Sequence, residues 1–114
     1  MPSPATYNLV VPQATTFTFQ FQILENNTPW NLTNYTATMT VRPFAGSTTT
    51  TLLATTANGK IVLDAVNGRA TVTFSATDTN IKAEPYVYDF VFNSGSVITR
   101  ALEGQFIVTA GATV

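Results

Sequence analysis

The side chains best suited to chemistry in this 114-residue sequence are six carboxylates, because histidine and cysteine are both absent. The carboxylates are Glu25, Asp64, Asp78, Glu84, Asp89 and Glu103. A glycosidase would need two of them on either side of a sugar-binding cleft, and their scatter along the chain indicates no such pair. The commonest general base is also missing, since no imidazole is present. An enzyme is therefore the least favoured function, and no catalytic residue is predicted.

One weak candidate for a metal site lies in the middle of the chain. Asp64 is close in sequence to the asparagines of two predicted turns, Asn58 and Asn67, and together they could imitate an oxygen-rich calcium site. One carboxylate and scattered amides are a poor ligand set for a hard cation. The glycines are isolated turn residues, so no phosphate-binding loop follows a strand. The sequence therefore predicts no metal and no cofactor.

Aromatic residues supply the other candidate chemistry. Tyr86, Tyr88, Phe90 and Phe92 form a row that could stack against sugar or single-stranded nucleic acid. A stacking surface usually carries cations, and no Lys or Arg interleaves this row, so core packing is favoured. Trp30 lies in a predicted loop, where it could anchor a partner or cap one end of the fold, and the sequence leaves both roles open.

Composition restricts the possible partners. Hydrophobic residues make up 45% of the chain and charged residues 10%, with a net charge of -1. Five Lys and Arg give no basic stripe, so nucleic acid is not an expected partner, and nothing suggests a membrane. The chain begins without the basic and apolar regions of a signal peptide. We expect residues 1–114 to form one domain that is made in a cytoplasm.

Alternating and β-branched runs predict strands throughout. Residues 16–23 and 36–41 alternate apolar with polar side chains, which indicates half-buried strands. Asn58-Gly59 and Asn67-Gly68 are strong signals for tight hairpins, and they predict a three-strand meander over residues 52–74. No long helical period is present. The prediction is an all-β, immunoglobulin-like antiparallel β-sandwich of seven to nine strands, with an up-and-down barrel as the lesser alternative.

The last hairpin is the clearest local feature. Two β-branched and aromatic runs flank Ser94-Gly95, which supplies the backbone freedom of a tight reversal. A turn there would place Phe92 opposite Val97 and Asp89 opposite Arg100. Since opposed residues share a face of the sheet, an ion pair between Asp89 and Arg100 is predicted.

Several segments, in this order and spacing, resemble the small immunoglobulin-like virion domains of tailed bacteriophages, including the N-terminal domain of the phage baseplate upper protein. The segments are Asn31-Leu32-Thr33-Asn34-Tyr35-Thr36-Ala37, the strand ending at Val41-Arg42, Asn58-Gly59-Lys60-Ile61, Asn67-Gly68-Arg69-Ala70, Tyr86-Val87-Tyr88-Asp89 and Arg100-Ala101-Leu102-Glu103-Gly104. Asn31 and Asn34 stand where members of that family usually have an acid and a glycine. The resemblance implies a structural role in a virion and brings no catalytic residue with it.

The preferred functional hypothesis is a tail or baseplate component that attaches fibres or spikes. A capsid decoration protein on the phage head is the first alternative, and a carbohydrate-binding adhesion module built on Trp30 and the tyrosines is the second. The expected partners are other virion proteins and further copies of this chain. We predict contacts at Trp30 and along the threonine-rich edge, where unpaired backbone groups could meet a neighbour. The threonines are Thr48, Thr49, Thr50 and Thr51.

Overall fold

The computed structural model describes residues 5–111, except the side chain of Glu25, one of the six candidate carboxylates, which lies outside the described part. All regular structure in residues 5–111 is β-strand, and no helix there is long and apolar enough to cross a membrane. Eleven strand segments follow one another along the chain. They are β1 (Ala5–Thr6), β2 (Leu9–Pro12), β3 (Phe17–Gln22), β4 (Leu24–Glu25), β5 (Thr28–Pro29), β6 (Thr36–Arg42), β7 (Leu52–Thr55), β8 (Ile61–Asp64), β9 (Arg69–Phe74), β10 (Pro85–Asn93) and β11 (Ile98–Thr109).

The strands form two main sheets and one small hairpin. The larger sheet has the order β1-β11-β10-β6-β7, and β2 also pairs with β11. The smaller sheet has the order β3-β9-β8, and β4 pairs only with β5. The all-β prediction is confirmed, with two sheets in place of one closed barrel. The expected count of seven to nine strands stays a prediction, because β1, β4 and β5 have only two residues each.

Aromatic side chains join the two sheets. Phe21 of β3 meets Phe90 of β10 edge to face, with ring centroids 4.8 Å apart. Phe74 of β9 meets Phe106 of β11 in the same way at 5.7 Å. Phe74, Phe90 and Phe106 are fully buried at the centre of the core. Full burial of a phenylalanine side chain contributes roughly 1.5–3 kcal/mol to the stability of the fold.

Side-chain alternation decides which residues enter that core. Ala37, Met39 and Val41 of β6 are buried, as the sequence predicts for that strand. The aromatic row of β10 is also buried, which confirms core packing and contradicts a stacking platform. Its members are Tyr86, Tyr88, Phe90 and Phe92.

The predicted three-strand meander is only partly right, because β8 and β9 form its second hairpin but β7 does not join them. β7 pairs with β6 in the larger sheet, whereas β8 and β9 pair in the smaller one, so the chain crosses between sheets after β7. Neither Asn58 nor Asn67 has the positive φ of a type I′ turn. Asn26 and Asn27 do, with φ of 53° and 63°, and they connect β4 to β5.

The predicted register of the last hairpin is also wrong. Phe92 lies opposite Thr99 and Asp89 opposite Glu103, because the loop between β10 and β11 has four residues and β11 contains a bulge at Ala101. Ala101 and Leu102 are both buried. The alternation of β11 therefore changes phase at this point, as β-bulges permit.

Three close contacts hold the N-terminal segment against β10 and β11. The hydroxyl of buried Tyr88 donates a hydrogen bond to the Tyr7 carbonyl oxygen at 2.6 Å. A Cβ at position 104 would lie only 2.3 Å from that same oxygen, so the parallel approach of the segment requires Gly104. In the neighbouring residue, the Gln105 amide donates to Asn8 Oδ1 at 3.0 Å.

Tyr88 makes the stability of the fold sensitive to alkaline pH. Burial, and secondarily the electrostatic effect of the Tyr7 side chain, raise the pKa of Tyr88 from its usual 10.0 to about 12. A raised pKa stabilises the folded state below the unfolded pKa, and this contribution is lost as pH rises from about 10 to about 12. We expect the unfolding free energy from urea titrations to fall more steeply over that range in the wild type than in Tyr88→Phe. Tyr35→Phe serves as the control and should keep the wild-type slope, whereas equal slopes in all three proteins would contradict this role of Tyr88.

Candidate functional site

An open cleft of about 840 Å³ lies on the outer face of the larger sheet. Outward side chains of β6, β10 and β11 form its floor, and the loop after β6 forms one wall. The floor includes Thr40, Arg42, Val87, Asp89, Arg100, Glu103 and Gln105, and the wall includes Ala45, Gly46, Ser47 and Thr48. The chain has 5 Lys and Arg and 6 Asp and Glu, and four of these eleven charged side chains meet in the cleft. This cleft is the main concentration of charge in the described part of the chain.

Strand register places the charged groups side by side. Thr40, Asp89 and Glu103 form one row across β6, β10 and β11. The phase change at Ala101 turns Arg100 to the same face as Glu103, although they are three residues apart. The Arg100 guanidinium therefore lies between two carboxylates, with Nε 3.6 Å from Asp89 Oδ2 and Nη1 3.5 Å from Glu103 Oε1.

The contact between Asp89 and Arg100 thus forms diagonally and not between opposed residues. Asp89 and Glu103 are the opposed pair, and like charges in that arrangement repel each other. Arg100 offsets the repulsion between these two carboxylates. Sequence reasoning missed Glu103 as the second partner, because the bulge that brings it into place depends on tertiary packing.

Arg42, in the same cleft, binds a loop. Its Nη1 donates to the Thr49 carbonyl oxygen at 3.3 Å and to Thr50 Oγ1 at 3.2 Å. These bonds hold the loop that forms the cleft wall. Arg42 was not predicted as a site residue from the sequence, although its outward position in the alternation of β6 was available as a signal.

The four threonines predicted as contacts occupy different positions around this loop. Thr48 lines the cleft, and Thr48, Thr49 and Thr50 are exposed. Thr51 is half-buried, and its amide donates to the Val41 carbonyl oxygen at 2.7 Å. The first three are therefore the members of this segment that a partner could touch.

Asn58 covers part of the edge of β7, while the predicted partner contacts at Thr48, Thr49, Thr50 and Thr51 stay a prediction. Asn58 Nδ2 donates to the Leu53 carbonyl oxygen at 3.1 Å, and Asn58 Oδ1 accepts from the Thr55 amide at 3.0 Å. The side-chain amide thus makes the two bonds that a neighbouring strand would make. The same Oδ1 accepts from the Lys60 amide at 3.0 Å, which fixes the crossing to the smaller sheet.

Trp30 is half-buried against the end of the core. Its ring lies 5.2 Å from that of Tyr35 and 6.2 Å from that of Phe92, at interplanar angles of 56° and 89°. These tilted rings do not form a flat platform, and the tyrosines of β10 are buried. The arrangement fits the capping role that the sequence left open for Trp30.

The calcium candidate does not assemble. Asn67 Nδ2 donates to Asp64 Oδ2 at 2.9 Å, while Asn58 is bonded to β7. Among the residues that the structure describes, no group of three His, Cys, Asp or Glu side chains could hold a metal ion.

Comparison with known proteins adds no family assignment. No family model matches the chain, and no curated sequence matches it either. The resemblance to phage virion domains therefore stays a prediction.

The stability contribution of the Arg100 ion pairs can be measured by substitution. Replacing Arg100 with Gln leaves Asp89 facing Glu103 without a cation, and we expect a loss of about 1 kcal/mol in unfolding free energy. Adding Asp89→Asn to Arg100→Gln should recover most of the loss, and high salt should reduce it. Urea titrations of the single and double variants measure both effects. A loss unchanged by salt and by Asp89→Asn would show that the guanidinium acts through packing alone.

A further expected outcome concerns Asn58. In Asn58→Ala the Leu53 carbonyl and the Thr55 amide lose their partner, at a cost of about 1–3 kcal/mol. The Thr55 amide should also exchange its hydrogen much faster, as measured by NMR. Asn67→Ala removes the asparagine of the other Asn-Gly pair and should leave Thr55 protected. If the Thr55 amide exchanges equally slowly in both variants, Asn58 does not cover this edge.

Proposed function

We propose that this chain is a non-enzymatic, immunoglobulin-like structural subunit of a bacteriophage virion, and that it belongs to the tail or baseplate, where it attaches fibres or spikes. The expected partners are other virion proteins and further copies of the chain. The alternatives are decoration of the phage head and adhesion through carbohydrate.

Strand order supports the immunoglobulin-like part of the proposal. In constant-type immunoglobulin domains one sheet contains strands B, E and D in adjacent positions and the other contains G, F and C, with C′ added in variable-type domains. The order β3-β9-β8 corresponds to B-E-D, and β11-β10-β6-β7 corresponds to G-F-C-C′.

A tyrosine at the start of β10 supports the same assignment. The Tyr86 hydroxyl donates to the Lys82 carbonyl oxygen at 2.8 Å, four residues upstream. Immunoglobulin-like sandwiches place such a tyrosine corner near the start of strand F. Burial and the nearby charge of Glu84 raise the pKa of Tyr86, which keeps the hydroxyl protonated as a donor.

The observation that carries the virion part is that two of the motifs behind the phage resemblance, Tyr86-Val87-Tyr88-Asp89 and Arg100-Ala101-Leu102-Glu103-Gly104, lie on paired strands. Tyr88 and Gly104 both contact the Tyr7 carbonyl or its surroundings, and Asp89 and Arg100 form an ion pair on the same two strands. The shared residues therefore form one structural unit at the β10–β11 junction. This is the pattern expected if the resemblance reflects a common architecture, although fold alone does not fix function.

The polar side chains also favour a structural role over a binding or catalytic one. On the smaller sheet, Thr18 and Thr73 bond through their hydroxyls at 3.2 Å, and Gln20 Nε2 donates to Thr71 Oγ1 at 2.9 Å. In the cleft, Arg100 is engaged by two carboxylates. These groups connect strands. The carbohydrate alternative loses support because Trp30 packs against Phe92 and the tyrosines of β10 are buried.

The location of the chain in particles tests the proposal. We expect a reconstruction of the encoding phage to show this domain in the tail or baseplate, in a small number of copies fixed by tail symmetry. Copies spread over the capsid lattice would replace the tail assignment with head decoration. Absence of the chain from purified particles, checked by mass spectrometry, would overturn both placements.

A further inference from the structure

Of the four edges that the two main sheets have in residues 5–111, three carry features that discourage pairing with another chain. Asn58 occupies the edge of β7. β8 has only four residues, with Lys60 directly before it and Asp64 at its end. The N-terminal edge is divided into two short pieces and ends at Pro12. Short strands, charges and proline are the usual protections of sheet edges.

The edge of β3 has none of these features. β3 has six residues without charge, proline or bulge. The Ile23 amide donates to the Gly68 carbonyl oxygen at 2.8 Å, which fixes the phase of bonding to β9. Alternate residues of an antiparallel edge point their backbone groups away from the partner. The backbone groups of Thr18, Gln20 and Gln22 therefore face outward, and they have no partner in the described part of the chain.

An apolar groove of about 570 Å³ runs beside this edge. Half-buried Phe17, Phe19 and Phe21 line one side. Tyr7 and Val10, each 59% exposed, line the other. No charged side chain lines the groove. A complementary occupant must therefore be an extended, uncharged strand with apolar residues at alternate positions.

We propose that β3 is a self-association surface, on which β3 of a second copy pairs antiparallel about a twofold axis. The pairing joins the two smaller sheets into one continuous six-stranded sheet. Its centre is Gln20, which lies opposite Gln20 of the partner subunit. Thr18 then lies opposite the partner's Gln22, and Phe19 opposite the partner's Phe21.

The choice of a second copy follows from self-complementarity. β3 itself has the sequence that the groove requires, since it is uncharged and alternates phenylalanine with threonine or glutamine. In this register the outward backbone groups form roughly six hydrogen bonds, and Phe19 and Phe21 form two aromatic cross-strand pairs of a favourable kind. A twofold contact brings each side chain against a copy of the same surface, and no like charges oppose each other here. The inference does not depend on the proposed virion role.

Gln20→Lys tests the proposed register. The twofold axis would bring two lysines together, so we expect the dissociation constant of the dimer to rise about tenfold or more, as measured by sedimentation equilibrium. Thr73→Lys is the matched control, because it adds the same charge to the same face of the sheet but on the central strand β9. It should leave the dissociation constant near the wild-type value. Equal effects of the two lysines would overturn the proposal.

A cysteine variant gives an independent readout that does not rely on affinity. The chain has no cysteine, and hydrogen-bonded antiparallel residues have Cα atoms about 5.5 Å apart, within reach of a disulfide. Gln20→Cys should therefore form a covalent dimer under mild oxidation, whereas Thr73→Cys should not. A wild type that stays monomeric at millimolar concentration, together with no excess crosslinking at position 20, would exclude this surface.

Discussion

Burial of the β10 aromatic row is the constraint on which the rest of the structure depends. β10 pairs on one side with β6 and on the other with β11, and it turns Tyr86, Tyr88, Phe90 and Phe92 toward the smaller sheet. The two phenylalanines fill the space between the sheets. The two tyrosines can be buried only because each hydroxyl finds a backbone carbonyl, on Lys82 and Tyr7 respectively. Through the second of these bonds, the central strand also positions the first segment of the chain.

A few polar side chains join the strands and loops around this core. Asn58 substitutes for a strand at the edge of β7 and at the same time directs the chain to the smaller sheet. Arg42 holds the loop that shapes the cleft, and Arg100 balances the carboxylates of Asp89 and Glu103. A chain with few charges thus places several of them where strands or loops must be joined.

Much of the local structure could be predicted from side-chain alternation. The inward faces of β6 and β10 followed from the period of two that a half-buried strand imposes. The register of the last hairpin did not follow, since a four-residue loop and the bulge at Ala101 both shift it. Two adjacent apolar residues, Ala101 and Leu102, break the alternation in the sequence at this point, but only packing against the core decides that both are buried. The Asn58-Gly59 signal also did not reveal that β7 and β8 belong to different sheets, because the Asn58 side chain bonds along the edge of β7. The cleft joins residues from three strands and one loop, so its composition required the register.

Hydrogen exchange of the wild-type protein, resolved by residue, tests the central place of β10 most directly. Amides of a strand paired on both sides open only when the whole domain unfolds, whereas those at sheet edges open locally. The account predicts that the paired amides of β10 are the slowest to exchange and that their opening free energy equals the global unfolding free energy from urea titration. Amides of β10 that exchange as fast as those of β7, with a lower opening free energy, would contradict it.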